Sequence, residues 1–322
     1  MTPFQSGTTT LAPDFGRIIE GHSDALRSID LQALTAAFKR DGAVLLRGFR
    51  AAVDDFVWLT GALCDDFSTY RGGGFRWGPL DRDSIGGDPT VMTVTGSGQG
   101  WPIPLHGEMY YLQQRPAMLW FYCQRAPAHD GQTTLCDGER ALAAISERTR
   151  SWLRNSNIKY VRELTREEWP LTFATDDPEE LARVCRDNGM RLVMHEDGSI
   201  ATEFVCAPVV HPRGRDTEAL INNIVQMYTI EWAFTSGWVK RHMPQLPRDR
   251  SPMVVRMEDG TKVPSPVFDE LQAAFETLTV NVDWQESDVL MIDNTRFLHG
   301  RREATDPNRS ILVRMGEPAF AW

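Results

Sequence analysis

The chain has 322 residues, 42% of them hydrophobic and 24% charged, which is the balance of an ordinary globular protein able to bury a sizeable core. That balance excludes a disordered, collagen-like or coiled-coil chain. A formal net charge of -10 repels phosphate backbones, so neither nucleic acid nor an anionic membrane is an expected partner.

In chain order, Leu26, Ile29, Leu31, Leu34 and Phe38 recur at helical spacing up to Arg40, Asp30 can cap an inner turn, and Gly42 stops the helix. GAVLLRGF (42–49) reads as a continuously apolar strand and residues 54–63 as a second helix. Residues 68–90 combine Gly, Asp and Arg with aromatics; they read as a long loop covering an active site, with Arg71, Arg76 and Trp77 as contacts for an anionic or amino-acid-like substrate. Residues 90–95 and MLWFYC (118–123) read as strands, a further strand starts near Thr133, and a helix is expected over 139–153. Residues 178–188 look helical. HEDG (195–198) marks a hairpin between 191–194 and 199–204, and helices are expected over 216–240 and 265–278. VNVDW, DVLMIDN and SILVRM close the chain as strands. Strands on both sides of a helical insertion at about 139–240 predict a mainly β fold, a sandwich or barrel with peripheral helices. Residues 1–25 form an N-terminal extension to a single domain over 26–322.

The five cysteines, Cys64, Cys123, Cys136, Cys185 and Cys206, form no CxxC pair and read as free thiols. The first residues show no basic-then-apolar leader pattern, and no apolar run reaches membrane-spanning length. A soluble cytoplasmic protein is expected; its oligomeric state is left open.

Three His-x-acid triplets occur: His22 to Asp24, His106 to Glu108 and His195 to Asp197. The triplet alone is weak, so context decides. Asp24 reads as a first-turn acid near a helix dipole, and His195 and Asp197 as hairpin-turn residues. His106 stands where a loop runs into an extended segment, in which residues i and i+2 share a face. His106 and Glu108 would then present an imidazole and a carboxylate side by side, with small Gly107 between them. A third ligand must come from elsewhere, and His299, after an apolar strand, is the best candidate. Two histidines and one carboxylate leave adjacent coordination positions open, which suits non-heme Fe(II) oxygen chemistry. Arg309, ten residues later, is the kind of fixed cation that a dicarboxylate cosubstrate requires.

The set HGE (106–108), GQT (131–133), WQESDVLMIDNTRFLHGR (284–301) and DPNRSILVRMGEP (306–318) resembles the TauD/clavaminate-synthase-like Fe(II)/2-oxoglutarate dioxygenases, in particular their SyrP-like branch. The resemblance covers roughly residues 30–320. It implies a double-stranded β-helix (jelly-roll) core and Fe(II) on His106, Glu108 and His299. It also implies 2-oxoglutarate and O2 as cosubstrates, with the distal carboxylate of 2-oxoglutarate on Arg309 and a hydroxyl hydrogen bond from Thr133; an ordinary strand threonine is the plain alternative. Relatives often carry a second arginine four residues after the first. Here that position is Val313, and Arg314 one residue on is the fallback anchor or a substrate contact. Glu108 argues against halogenating relatives, which replace the carboxylate with a small residue.

The implied activity is hydroxylation of an unactivated C–H bond, with desaturation or cyclisation by the same oxidant as alternatives. The branch points to an amino acid or an amino-acid-derived natural product, free or carrier-bound. Met109, Tyr110 and Tyr111 read either as strand packing or as cavity residues, and Tyr110 as a substrate contact. Two other classes stay open: a zinc hydrolase on the same ligands, and a non-catalytic jelly-roll binding protein. Neither needs Arg309 or Thr133.

Overall fold

The structure is a computed structural model that describes residues 9–13, 15–71, 82–94, 100–244 and 249–322. Its frame is two sheets. The larger runs in the order Arg17–Glu20, Ala43–Arg47, Val289–Asp293, Met118–Arg125, Ser310–Pro318, Asp88–Thr93 and Ser84–Ile85, with Cys64–Phe67 also pairing to Ser310–Pro318. All its pairings are antiparallel except the first, where Arg17–Glu20 lies parallel to Ala43–Arg47. Part of the expected N-terminal extension is therefore an edge strand of the sheet. The smaller sheet runs Val280–Val282, Thr133–Asp137, Phe297–Arg301, Ile103–His106 and is antiparallel throughout.

The apolar strands bury both faces. Leu119, Phe121 and Cys123 point into the core shared with Leu135 and Leu298 of the smaller sheet. Met118, Trp120 and Tyr122 point the other way, onto Leu34 and Phe38 of the helix Leu31–Asp41 and Phe56 and Leu59 of the helix Val53–Leu63. This two-sided burial is why MLWFYC reads as continuous rather than alternating.

Capping decides where several expected helices break. Asp30 accepts hydrogen bonds from the Gln32 and Ala33 amides, so the first helix starts at Leu31, behind a short 3-10 turn at Leu26–Ser28. Gly42, at φ 71°, ends it. The helix expected over 139–153 is two helices, Gly138–Ala144 and Glu147–Arg154, because Ser146 caps the second through the Thr149 amide. The helix expected over 216–240 begins only at Ile224. The preceding residues form the strand Ala219–Leu220, and Gly237, at φ 73°, separates Ile224–Thr235 from Trp238–His242.

The segment expected to be a helical insertion also carries strands. Arg191–Met194, Ile200–Cys206 and Ile158–Leu164, together with Met253–Met257, build a separate four-stranded sheet. The hairpin at 195–198 forms, with Asp197 accepting from the Ser199 amide and hydroxyl.

All five cysteines are free, and burial pushes the Cys123 and Cys136 thiols up to about 12, which leaves them inert. No helix among the described residues is long and apolar enough to cross a membrane.

Candidate active site

His106 ends its strand directly opposite His299 in the smaller sheet, so the register itself brings the two imidazoles together, with ring centroids 4.3 Å apart. Glu108 arrives by a different route from the extended segment expected. The strand stops at His106, and residues 108–110 turn, with Met109 at φ 59°. The turn swings the carboxylate to within 3.4 Å of His299 Nε2. One ligand atom from each of His106, Glu108 and His299 lies within 4.8 Å of the others, and all three residues are buried. Gly107 is small for a reason. A Cβ there would stand 2.5 Å from the Tyr110 ring and 2.7 Å from Ile221.

Neighbouring groups fix these side chains. His106 Nδ1 lies 2.9 Å from the Pro104 carbonyl oxygen; donating to it places the proton on Nδ1 and leaves Nε2 with a free lone pair. Asn294 clamps the Glu108 backbone from both sides. Its Oδ1 accepts from the Glu108 amide at 2.9 Å, and its Nδ2 donates to the Glu108 carbonyl at 3.0 Å and to the Pro116 carbonyl at 2.7 Å. Each such bond contributes about 0.5–1.5 kcal/mol net. Asn294→Ala should weaken iron binding by about 10–100-fold, the usual cost of losing an outer partner of a ligand. Iron titration monitored by tryptophan fluorescence checks this, and an unchanged affinity would show the clamp to be dispensable.

The electrostatics fit a cation. Burial holds His106 well below the ordinary imidazole range, assisted by nearby His299, and holds His299 down at about 3. Burial raises Glu108 to about 8. Two neutral imidazoles offer lone pairs, and a carboxylate that is costly to keep charged alone is stabilised by a divalent ion.

The three residues face a cavity of about 190 Å³ between the sheets, with Met92 and Phe121 of the larger sheet on the opposite wall. Thr133 and Arg309 line the same cavity. Arg309 Nε donates to the Gly131 carbonyl at 2.8 Å, whereas its buried Nη1 has no hydrogen-bond partner among the described residues. Gly131 is at φ 67°, and a Cβ there would meet Arg309 Cδ at 2.8 Å, so glycine makes room for the arginine. Burial lowers Arg309 to about 10, with nearby Arg301 adding to the effect, yet it stays charged near neutrality. Thr133 Oγ1 accepts from Trp284 Nε1 at 3.1 Å, which leaves its own hydroxyl hydrogen to donate elsewhere.

Other expected contacts lie apart. Arg314 does not reach the cavity. Val313 and Met315 point inward, so Arg314 points outward to the helix Val53–Leu63, where it donates to Thr60 Oγ1 at 2.8 Å and pairs with Asp88 at 3.0 Å. Strand alternation thus removes the fallback anchor. Arg71 is engaged with the Phe173 carbonyl and Glu180 and does not line the cavity. Arg76 and Trp77 lie outside the described residues. Of the expected covering loop, residues 84–85 and 88–90 belong to strands. Tyr110 is buried beneath Arg115 outside the cavity, and Tyr111 lines it instead.

Tyr70, Arg82, Gln226 and Arg301 also line the cavity, although no sequence pattern singled them out. Arg301 is the arginine of the HGR motif and could have been found there. Tyr70 and Arg82 bear no local signal, since their contacts to Glu108 span 38 and 26 residues.

A buried His, Glu, His cluster between two sheets, sharing its cavity with an arginine, defines the class of non-heme iron oxygenases that use a 2-oxo acid. The chain belongs to the taurine catabolism dioxygenase TauD, TfdA family, whose model matches residues 7–315. It is therefore an iron- and 2-oxoglutarate-dependent dioxygenase. Over 295 residues it is 30% identical to a clavaminate synthase-like protein of Arabidopsis thaliana, covering 87% of this chain and 83% of that one. It is 26% identical over 286 residues to the dapdiamide synthesis protein DdaC of Enterobacter agglomerans, with the same coverage. PvcB of Pseudomonas aeruginosa shares the fold at TM-score 0.53 and 16% identity, over 94% of this chain and 85% of that one.

Proposed function

We propose that the protein hydroxylates an unactivated C–H bond of a small amino acid or amino-acid-derived metabolite, with Fe(II) held by His106, Glu108 and His299. The observation that carries this reading is one cavity holding both the three convergent ligand atoms and a buried arginine whose Nη1 has no hydrogen-bond partner among the described residues. We read the two facing sheets as a double-stranded β-helix core within one domain. Bound iron supplies the activation of O2.

The protein supplies placement and dryness. Arg309 takes the distal carboxylate of 2-oxoglutarate through its guanidinium, and Thr133 donates its hydroxyl to the same group. His106 is held in one tautomer by Pro104, and Glu108 in one pose by Asn294. Met92, Val94, Ile103 and Phe121 give the cavity apolar walls that keep water from the reacting centre. A zinc hydrolase on the same ligands would leave the buried Arg309 Nη1 without a purpose. Two similar proteins, a dapdiamide synthesis protein and an oxygenase of an isonitrile synthetic pathway, serve biosynthesis, which is in keeping with a small metabolite as substrate.

The test is product analysis under labelled O2 with candidate amino acids and derivatives. A product that gains one labelled oxygen, formed in step with succinate, supports hydroxylation. A product short of two hydrogens would replace it with desaturation.

A further inference from the structure

The two carboxylate oxygens of Glu108 have different surroundings. Oε2 lies 3.4 Å from His299 Nε2 and 3.4 Å from Arg82 Nη2. Oε1 accepts a hydrogen bond from the Tyr70 hydroxyl. Tyr70 reaches it from an unusual backbone conformation, at φ 65°. A bulky residue rarely adopts that left-handed region, and it persists there only where its surroundings enforce it. Here the Ser68 amide donates to the Met315 carbonyl at 3.0 Å, tying the segment to the strand Ser310–Pro318, and the Tyr70 amide donates to Ser68 Oγ at 3.4 Å. The Tyr70 ring is buried in the cavity wall, with the Arg82 guanidinium over it at 4.2 Å.

We infer that Tyr70 is a positioning residue whose hydroxyl holds back Glu108 Oε1, so that the carboxylate gives the metal Oε2 alone. The role rests on the proposed oxygenase function, which needs the coordination position thereby kept open. A carboxylate binds a metal through one oxygen or through both. On an octahedral ion, two imidazoles and one carboxylate oxygen leave room for a chelating 2-oxo acid and for O2; a second carboxylate oxygen would take the place of O2. A hydroxyl bound to a carboxylate makes one of the stronger hydrogen bonds. Glu108 is buried, so without that hydroxyl Oε1 would lose its donor in a dry site, which is costly, and the ion itself would be the nearest replacement. Arg82 does not serve the same purpose, because its contact is to Oε2. Loss of the hydroxyl should therefore fall on the open position rather than on iron retention, unlike loss of the Asn294 clamp.

The test uses the full-length protein, wild type and Tyr70→Phe, loaded anaerobically with Fe(II) and 2-oxoglutarate, whose complex absorbs visible light. Each is titrated with nitric oxide, a surrogate for O2 whose iron adduct is read by electron paramagnetic resonance. Tyr70→Phe should keep its iron and the visible absorption. It should need about 10–100-fold more nitric oxide, the usual cost of losing an outer partner of a ligand. Infrared difference spectra on adding Mn(II), an octahedral stand-in, give a second readout that needs no turnover. The two carboxylate stretches are widely spaced when one oxygen binds and closely spaced when both do. Wild type should show the wide spacing and Tyr70→Phe the narrow one. A narrow spacing in wild type would overturn the inference. So would an unchanged nitric oxide titration per bound iron in Tyr70→Phe, whatever its iron content, leaving Tyr70 as packing beside Glu108. Absence of the visible absorption in wild type would refute the proposed function itself, and the role of Tyr70 with it.

Discussion

Replacing His299 with alanine should reduce iron occupancy to background, and His106→Ala should do the same. The two residues are direct cross-strand partners in the smaller sheet, so each variant removes one ligand and leaves the other on an intact strand. Two donors cannot hold the ion as three do. The loss should therefore exceed the about 10–100-fold that removal of an outer partner costs. The fold should survive, because neither imidazole carries the core: the surrounding apolar side chains Leu135, Leu298 and Phe121 remain buried between the sheets. Anaerobic iron titration alongside circular dichroism separates the outcomes. Full iron occupancy in either variant, with the fold preserved, would remove these residues from the metal site.

Arg309→Ala should raise the apparent 2-oxoglutarate constant by about 100-fold or more, because removing one member of a buried charged pair costs about 3–5 kcal/mol. Iron binding should persist, since Arg309 touches Gly131 and the cavity rather than the three ligands. Arg309→Lys should recover only part of the loss, because an ammonium cannot make the two-pronged contact. Arg314→Ala is the control. Its guanidinium lies on the outer face of the larger sheet with Thr60 and Asp88, so it should affect stability rather than cosubstrate affinity. If Arg314→Ala lost cosubstrate affinity and Arg309→Ala kept it, the assignment would be reversed.

The residues of the candidate site are legible in the sequence to different depths. His106, Glu108 and His299 can be picked out because a short triplet and a late HGR motif sit at the ends of apolar strands, where side-chain direction follows from the backbone. For Glu108 the extended-segment reasoning is nevertheless incomplete. A turn at Met109, not strand alternation, brings its carboxylate to His299. Separating Arg309 from Arg314 needs only the period of a strand, and the structure bears that period out. Arg82, Tyr70 and Asn294 are out of reach, since each acts on Glu108 through a contact that only the assembled fold creates. The helix breaks at Ser146 and Gly237 are written in capping and turn residues, but the apolar periodicity running across them masks both.

The most direct test of the central claim is succinate release from the purified protein supplied with 2-oxoglutarate and O2, with Fe(II) or Zn(II) as the only metal. Iron- and 2-oxoglutarate-dependent chemistry at this site predicts release with Fe(II), none with Zn(II), and none from Fe(II)-supplied His106→Ala or His299→Ala. Succinate formed at the wild-type rate by those variants, or no succinate from the iron-loaded wild type, would contradict it.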